Sequence, residues 1–166
     1  MQFRKATLSD FPSAAGIIRL AVEHMLIHGR TQWDMSYPTD ADILNDITDE
    51  RAFVLTDSGQ TVVAYGAVSF NNEPAYNNIE GDWLSDTPYV VVHRLAVAPS
   101  ERGHGYGRIF LESVETLASA TGIGSFRIDT NNDNTEMLSL LSRLGFEHCG
   151  TVNYDHGKRM AFEKLI

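Results

Sequence analysis

One stretch of the sequence restricts the possible folds more than any other, because an apolar run, a proline break, a glycine-rich loop and an amphipathic segment follow one another. The apolar run covers residues 90–97, Pro99 breaks it, and the loop occupies residues 102–108 with glycines at alternate positions. After the loop, apolar residues recur at the spacing of one helix face, at Tyr106, Phe110, Val114, Leu117 and Ala118. The pattern predicts a strand, a glycine loop and a helix, in that order.

The predicted loop combines the features of an anion-binding site. Glycines at alternate positions let the backbone bend tightly and approach a ligand closely. The start of a helix adds N–H groups without partners and a dipole that favours negative charge. Arg102, His104 and Arg108 supply local positive charge in a chain whose formal net charge is -9. A loop that holds phosphate groups explains these features together; the alternative is a helix that merely begins after a glycine turn.

The glycine spacing separates this loop from two well-known phosphate-binding motifs. The dinucleotide fingerprint G-x-G-x-x-G would need a third glycine where Arg108 or Phe110 stands. A P-loop ends in Gly-Lys followed by serine or threonine, which this loop lacks. The loop instead fits R-x-x-G-x-G, with Arg102, Gly105 and Gly107 at the fixed positions.

The strand and loop together resemble the GNAT superfamily of N-acetyltransferases. The loop follows Leu95, Val97 and Pro99 in the pattern L-x-V-x-P, and Asn134 precedes a Gly-Phe pair at residues 145–146 at the distance common in that family. The resemblance implies that the loop holds the pyrophosphate of acetyl-CoA, and that backbone groups of the strand bind the pantetheine arm and polarise the thioester. The implied cofactor-binding residues are Leu95, Ala96, Val97, Arg102, Gly103, His104, Gly105, Tyr106, Gly107, Arg108 and Asn134.

The patterns along the chain predict an α+β (α/β) fold in a single domain over residues 1–166. The predicted order is β-α-α-β-β-β-α-β-α-β-β, with about seven strands and about four helices. Ser9 and Thr39 are predicted to cap the first two helices, and residues 71–88 form the longest irregular stretch. The resemblance implies the GNAT fold, with a mixed and mostly antiparallel central sheet. The predicted strands are residues 2–6, 52–56, 61–70, 90–97, 125–130, 146–152 and 159–165.

Composition limits the partners of this chain. Acidic residues outnumber basic ones by 22 to 13, which argues against nucleic acid and favours a cationic substrate. No apolar run approaches the ~18 residues of a membrane span, and the N-terminus lacks a signal-peptide pattern, so we expect a cytoplasmic protein without a membrane partner. His24 and His28 lie one helical turn apart but lack a third ligand, so we expect no metal site. A homodimer is left open.

Acyl transfer to an amine needs a base, because an ammonium ion has no lone pair with which to attack. Asp129 lies five residues before Asn134, where some GNAT members carry a glutamate base. His93 alternates with Leu95 and Val97 on the predicted cofactor strand, and histidine is the side chain that titrates near neutral pH. The alternatives are a turn position for Asp129 and a core hydrogen bond for His93.

The general acid is a departure from the family pattern. Many GNAT enzymes carry a tyrosine seven residues after the asparagine, and here that position is Leu141, which cannot donate a proton. The phenols of Tyr154 and Tyr106 are the candidates that remain, or the thiolate leaves into water. Cys149 lacks an evident activating neighbour and is expected to be a buried, inert thiol.

Two irregular segments carry the candidate acceptor-binding residues. Trp33 and Tyr37 lie in residues 30–38, and Trp83 lies in residues 71–88. Aromatic faces and carboxylates together suit a cationic amine. The alternative for residues 30–38 is a loop held in place by its aromatic side chains, and residues 71–88 are either solvated surface or a loop that closes over the substrate. The acids in these segments are Asp34, Glu73, Glu80, Asp82 and Asp86.

The sequence therefore predicts an acetyl-CoA-dependent N-acetyltransferase that acts on a primary amine, in a small molecule or a peptide. Because Leu141 replaces the expected tyrosine, the alternative is a CoA-binding regulatory module without catalysis.

Overall fold

The computed structural model describes residues 1–166, which form eight strands and four α-helices. Their order is β-α-α-β-β-β-β-α-β-α-β-β. The strands are β1 (Gln2–Lys5), β2 (Ala52–Thr56), β3 (Val62–Phe70), β4 (Glu80–Gly81), β5 (Tyr89–Val97), β6 (Ser125–Thr130), β7 (Glu147–Tyr154) and β8 (Gly157–Leu165). The helices are α1 (Phe11–Ile27), α2 (Asp40–Thr48), α3 (Tyr106–Ala120) and α4 (Thr135–Arg143).

The strands form one mixed, mostly antiparallel sheet in the order β1-β2-β3-β5-β6-β8-β7-β4. The pairs β1–β2, β2–β3, β6–β8, β7–β8 and β4–β7 are antiparallel, whereas β5 and β6 run parallel. The β5–β6 ladder holds three residue pairs and ends where Val91 faces Arg127. The predicted α+β class and the mostly antiparallel sheet are confirmed.

The predicted count of seven strands is wrong by one, because β4 lies inside the segment that was expected to be irregular. Glu80 pairs with Thr151 and Gly81 with Gly150 of β7. The backbones approach so closely that a Cβ on Gly81 would lie 2.2 Å from the carbonyl oxygen of Cys149. Only glycine fits this contact, and a partner so distant in sequence leaves no local strand pattern.

The predicted cap at Ser9 is also wrong. Thr7 and Asp10 form a reciprocal capping box around a short 3-10 turn, and α1 begins at Phe11. The Arg4 guanidinium binds both oxygens of Asp10, at 2.8 and 2.9 Å, and holds the pKa of that carboxyl well below its usual range. The predicted cap of α2 is confirmed, since Thr39 accepts a hydrogen bond from the N–H of Asp42.

The chain divides into two compact units, each built from two separate stretches. The first unit comprises Met1–Val68 and Val92–Ser113. In it, α1 turns its apolar face inward, and Trp33 of the following loop is buried with that face. The core residues of this unit include Ala14, Ile18, Val22, Ile43, Val54 and Tyr65.

The second unit comprises Ser69–Val91 and Val114–Ile166. Its apolar cluster joins Tyr76, from the segment before β5, to Val91, Val152 and Ala161 on the strands. Trp83 packs against this cluster. Across the whole chain, no helix has the length and apolar content that crossing a membrane requires.

Candidate active site

The strand, loop and helix predicted from the sequence are present, and the loop lies in the first unit. After β5, residues 99–101 form a single 3-10 turn, and α3 begins at Tyr106. Between them, Gly103 and Gly105 adopt left-handed backbone conformations, with φ of 83° and 80°. A Cβ on either glycine would meet no protein atom within 4 Å. The space beside the loop is therefore open to a ligand.

The first turn of α3 begins directly after these glycines. Ile109 donates its N–H to the carbonyl of Gly105 at 3.1 Å, which is the first hydrogen bond of the helix. The N–H groups of Gly107 and its neighbours in the first turn therefore have no acceptor within the helix, as is usual at the start of an α-helix. The positive end of the helix dipole lies at the same place.

The charged side chains of the loop differ in their surroundings. Arg102 and His104 are exposed, and the ring of His104 stacks on Tyr106 with the centroids 5.9 Å apart. Arg108 is also exposed and pairs with Glu112 one turn later, at 3.0 Å. Arg102 and His104 are therefore the basic side chains next to Gly103 in sequence.

β5 contains a conformational irregularity next to the predicted base His93. Arg94 has φ of 56°, in the left-handed region that few residues other than glycine adopt. Its guanidinium binds both oxygens of the fully buried Asp46, with distances of 2.8 and 2.6 Å. His93 itself is half-buried, two residues beyond Val91, where the ladder to β6 ends.

The two predicted acceptor residues of the first unit have different environments. Trp33 is only 6% exposed and belongs to the core. Tyr37 is half-buried, and its hydroxyl accepts a hydrogen bond from Arg94 at 2.8 Å. Asp34 and Tyr37 exchange backbone hydrogen bonds of 2.9 and 3.3 Å, which closes the loop on itself. Of the two, only Tyr37 links this loop to β5 through a side-chain hydrogen bond.

In the second unit, Asp129 of β6 is the centre of a polar cluster. Tyr76 and Tyr154 both donate their hydroxyl hydrogens to Oδ2 of Asp129, at 2.8 and 2.9 Å. Nε of Arg159 lies 4.0 Å from Oδ1. Burial and the charge of Asp129 raise the pKa of Tyr76 well above its usual value, so this phenol stays protonated.

Trp83 joins the same cluster through Tyr76. The indole N–H donates to the backbone carbonyl of Tyr76 at 3.0 Å, and the two ring centroids are 4.9 Å apart. The guanidinium of Arg127 lies 4.3 Å from the ring centres of both Trp83 and Tyr89. The structure therefore brings together two residues that were predicted separately, Trp83 and Asp129.

The segment that carries Trp83 is held by a buried carboxylate. Glu163 of β8 is fully buried and accepts hydrogen bonds from the hydroxyls of Ser85 and Ser125 and from the N–H of Leu84. Arg127 lies 3.3 Å from the same carboxylate. Burial opposes ionisation of Glu163, but these donors and the charge of Arg127 outweigh it and lower its pKa.

The remaining predicted residues have clear structural positions. Asn134 caps α4 by accepting a hydrogen bond from the N–H of Met137 at 3.3 Å. Leu141 is fully buried, so this position contributes packing. Cys149 is buried, and burial raises the pKa of its thiol, as expected of an inert cysteine. The sequence did not single out Asp46, Arg94 or Glu163, although each is a charge within an otherwise apolar pattern.

Comparison with known proteins identifies the family. Residues 18–146 match the model of the acetyltransferase (GNAT) family, which covers most of the chain. The chain belongs to the GNAT family. A solved GNAT acetyltransferase from Streptococcus agalactiae is 32% identical and superposes with a TM-score of 0.90, over 99% of this chain and 95% of that one. This GNAT protein is therefore an N-acetyltransferase by family, and the GNAT fold is confirmed.

Two further acetyltransferases are more distant. Streptothricin acetyltransferase from Streptomyces lavendulae is 26% identical over 61% of this chain, and the match spans 47% of the relative's own length. A phosphinothricin acetyltransferase from Sinorhizobium meliloti, solved in complex with AcCoA, has a TM-score of 0.73 at 18% identity. It covers 99% of this chain and 88% of its own, and at this identity the likeness concerns the fold alone.

Proposed function

We propose that this GNAT enzyme transfers an acetyl group from acetyl-CoA to a primary amine. The observation that carries the proposal is the open glycine loop at the start of α3, where Gly103 and Gly105 leave space that a Cβ would fill. A pyrophosphate suits this place, because its oxygens can accept hydrogen bonds from several N–H groups and its negative charge is favoured at the positive end of the helix dipole. The solved relative in complex with AcCoA agrees with this assignment.

The residues of the first unit divide the binding of acetyl-CoA between them. The N–H groups of residues 103–108 would hold the pyrophosphate, and Arg102 and His104 would add positive charge. The backbone of Leu95, Ala96 and Val97 would pair with the pantetheine arm, and one of its N–H groups would stabilise the charge that develops on the carbonyl oxygen. Acetyl-CoA supplies the acetyl group as a thioester.

The chain must also remove a proton from the acceptor ammonium. The amine nitrogen then attacks the acetyl carbonyl, so that an N–C bond forms and a C–S bond breaks. Asp129 and His93 are the candidate bases. Because two phenols donate to Oδ2 of Asp129, an amine proton can reach the carboxylate directly or by way of the Tyr154 hydroxyl.

The sulfur that leaves needs a proton, which comes from the second N–H bond lost by the amine. Leu141 cannot deliver it, because it is an apolar side chain in the core. Tyr154 is half-buried and already hydrogen-bonded to Asp129, so it is the phenol that we propose for this role, with water as the alternative. Tyr76 is almost fully buried and serves to orient Asp129.

The acceptor is proposed to be cationic. Asp82 and Asp86 are exposed beside Trp83, and aromatic faces hold ammonium ions by cation–π contact. Glu80 contributes less, because Lys158 neutralises it at 3.1 Å. Glu73 contributes less as well, because it caps a 3-10 turn by accepting from the N–H of Ala75.

The test is a calorimetric titration with acetyl-CoA, followed by a panel of amines assayed by the release of free thiol. We expect saturable binding and amine-dependent release that is fastest with polyamines or basic peptides. The absence of acetyl-CoA binding would refute the proposal. Binding without release for any amine would favour the CoA-binding regulatory module, which the acetyltransferase names of the relatives do not support.

A further inference from the structure

Arg94 combines an unfavourable backbone conformation with an extensive set of side-chain contacts. Its φ of 56° interrupts an otherwise extended strand, and we call this feature the Arg94 kink. A non-glycine residue keeps such a conformation only when its surroundings impose it. Beyond the kink, Ala98 donates its N–H to Val63 at 2.9 Å, so β5 is fixed again immediately after the residues proposed to bind the cofactor.

The side chain of Arg94 is fixed by a buried carboxylate. Nε and one terminal nitrogen bind the two oxygens of Asp46 on α2, at 2.8 and 2.6 Å. Asp46 also accepts the hydroxyl hydrogen of Tyr65 on β3 at 2.7 Å. A paired arrangement of this kind sets both the position and the orientation of the guanidinium.

The same guanidinium also contacts the loop of residues 30–38, which carries the predicted amine-binding residues Trp33 and Tyr37. Its other terminal nitrogen donates to the hydroxyl of Tyr37 at 2.8 Å. Tyr37 is in turn fixed by its backbone bonds to Asp34. One side chain therefore connects three elements of the first unit, which are β5, α2 and the loop of residues 30–38.

We propose that Arg94 is a positioning residue for acetyl transfer. Its bond to Asp46 maintains the kink, which sets the direction of the backbone N–H groups of residues 95–97. Its bond to Tyr37 holds the loop of residues 30–38 against the same strand. The inference rests on the proposed function, because those N–H groups are assigned there to the thioester and the pantetheine arm. Arg94 itself does not contact the reacting atoms.

Two substitutions of Arg94 distinguish the effect of losing the kink from the effect of losing the side chain. Arg94→Met removes the bond to Asp46 and leaves a residue that strongly prefers ordinary strand geometry, so the kink should relax. Arg94→Gly removes the same bond but adopts positive φ without strain, so the kink can persist. We expect kcat to fall by about tenfold or more in Arg94→Met, since small misplacements of reacting groups are costly, and by less in Arg94→Gly.

Two further variants provide the controls. Arg51 also approaches Asp46, at 3.5 Å, but it precedes β2, and its side-chain ion pairs are with Asp46 and Asp49. Arg51→Met should therefore reduce thermal stability without reducing kcat. Tyr37→Phe removes only the hydroxyl that Arg94 contacts. It should raise KM for the amine by about threefold or more while kcat and the affinity for acetyl-CoA stay unchanged.

The kink is also measurable without activity, through hydrogen exchange of the amides of residues 95–98. Arg94→Met should change their exchange rates, whereas Arg94→Gly and Arg51→Met should not. Wild-type exchange rates in Arg94→Met, equal kcat values for the two Arg94 variants, or an equal loss of kcat in Arg51→Met would each overturn the inference. If the wild-type protein fails to bind acetyl-CoA, the proposed function fails, and the exchange rates still decide whether Arg94 maintains the kink.

Discussion

Replacing Gly105 by alanine tests the phosphate-binding loop with a change of one methyl group. Gly105 has φ of 80°, and no protein atom lies within 4 Å of the position that the new Cβ would take. The substitution therefore causes no clash in the free protein. Its only effect on stability is that of an L-residue in a left-handed conformation, about 1–2 kcal/mol.

Gly122, two residues after the end of α3, is a matched control. It has φ of 78°, and a Cβ there would likewise meet no atom within 4 Å. Gly122→Ala should therefore destabilise the protein by the same amount as Gly105→Ala. For a chain of this size, both midpoints of thermal unfolding should fall by about 2–8 °C.

The two variants should differ in their affinity for acetyl-CoA. At Gly105 the methyl group enters the space proposed for the pyrophosphate and displaces it from the N–H donors. Calorimetric titration should show an affinity weakened by about tenfold or more, which is 1.4 kcal/mol or more, whereas Gly122→Ala should bind like the wild type. Equal affinities in the two variants, at equal losses of stability, would refute the assignment of this loop.

Three further predictions concern the base, the buried carboxylate of the second unit and the acceptor. Asp129→Asn or His93→Gln should lower kcat by ~100-fold for whichever residue is the base, as pH-rate profiles will show. The lowered pKa of Glu163 means that its ionised form stabilises the fold above its ordinary value of 4.5 and loses this contribution as the pH falls. Glu163→Gln should therefore unfold at a lower temperature at pH 7 and depend less on pH below 4.5 in thermal melts. For polyamine acceptors, kcat/KM should fall as salt rises; a flat salt profile would contradict electrostatic attraction.

The strands and helices that were predicted well are those whose bounds depend on residues close to them in sequence. β2 and β6 have the predicted bounds, because turn residues adjacent to them in sequence mark where they end. The cap Thr39 could be predicted because a cap bonds to an N–H only three residues later. The strand β4 was missed, since its pairing with β7 depends on contacts that no local pattern records.

The residues of the candidate site likewise divide into a motif that is local in sequence and contacts between residues far apart in the chain. The glycine loop is a contiguous motif, so its place between β5 and α3 could be predicted from the sequence. The contacts of Asp129 could not, because Tyr76 and Tyr154 lie 53 and 25 residues away from it in the chain. The pairing of Asp46 with Arg94, 48 residues apart, was hidden for the same reason.

Residues 71–88 were predicted to be either solvated surface or a loop that closes over the substrate. Most of them are exposed, but several of their side chains are fixed by contacts. Tyr76 is buried, and Trp83 contacts both Tyr76 and Arg127. Glu163 then holds the residues that follow Trp83. A closing loop must open at little free-energy cost, whereas opening this segment would expose a buried ion pair and strip a carboxylate of its donors. If amines bind at this segment as we propose, it offers them a fixed surface, and we expect selectivity among amines to depend on shape and charge that exist before the amine binds.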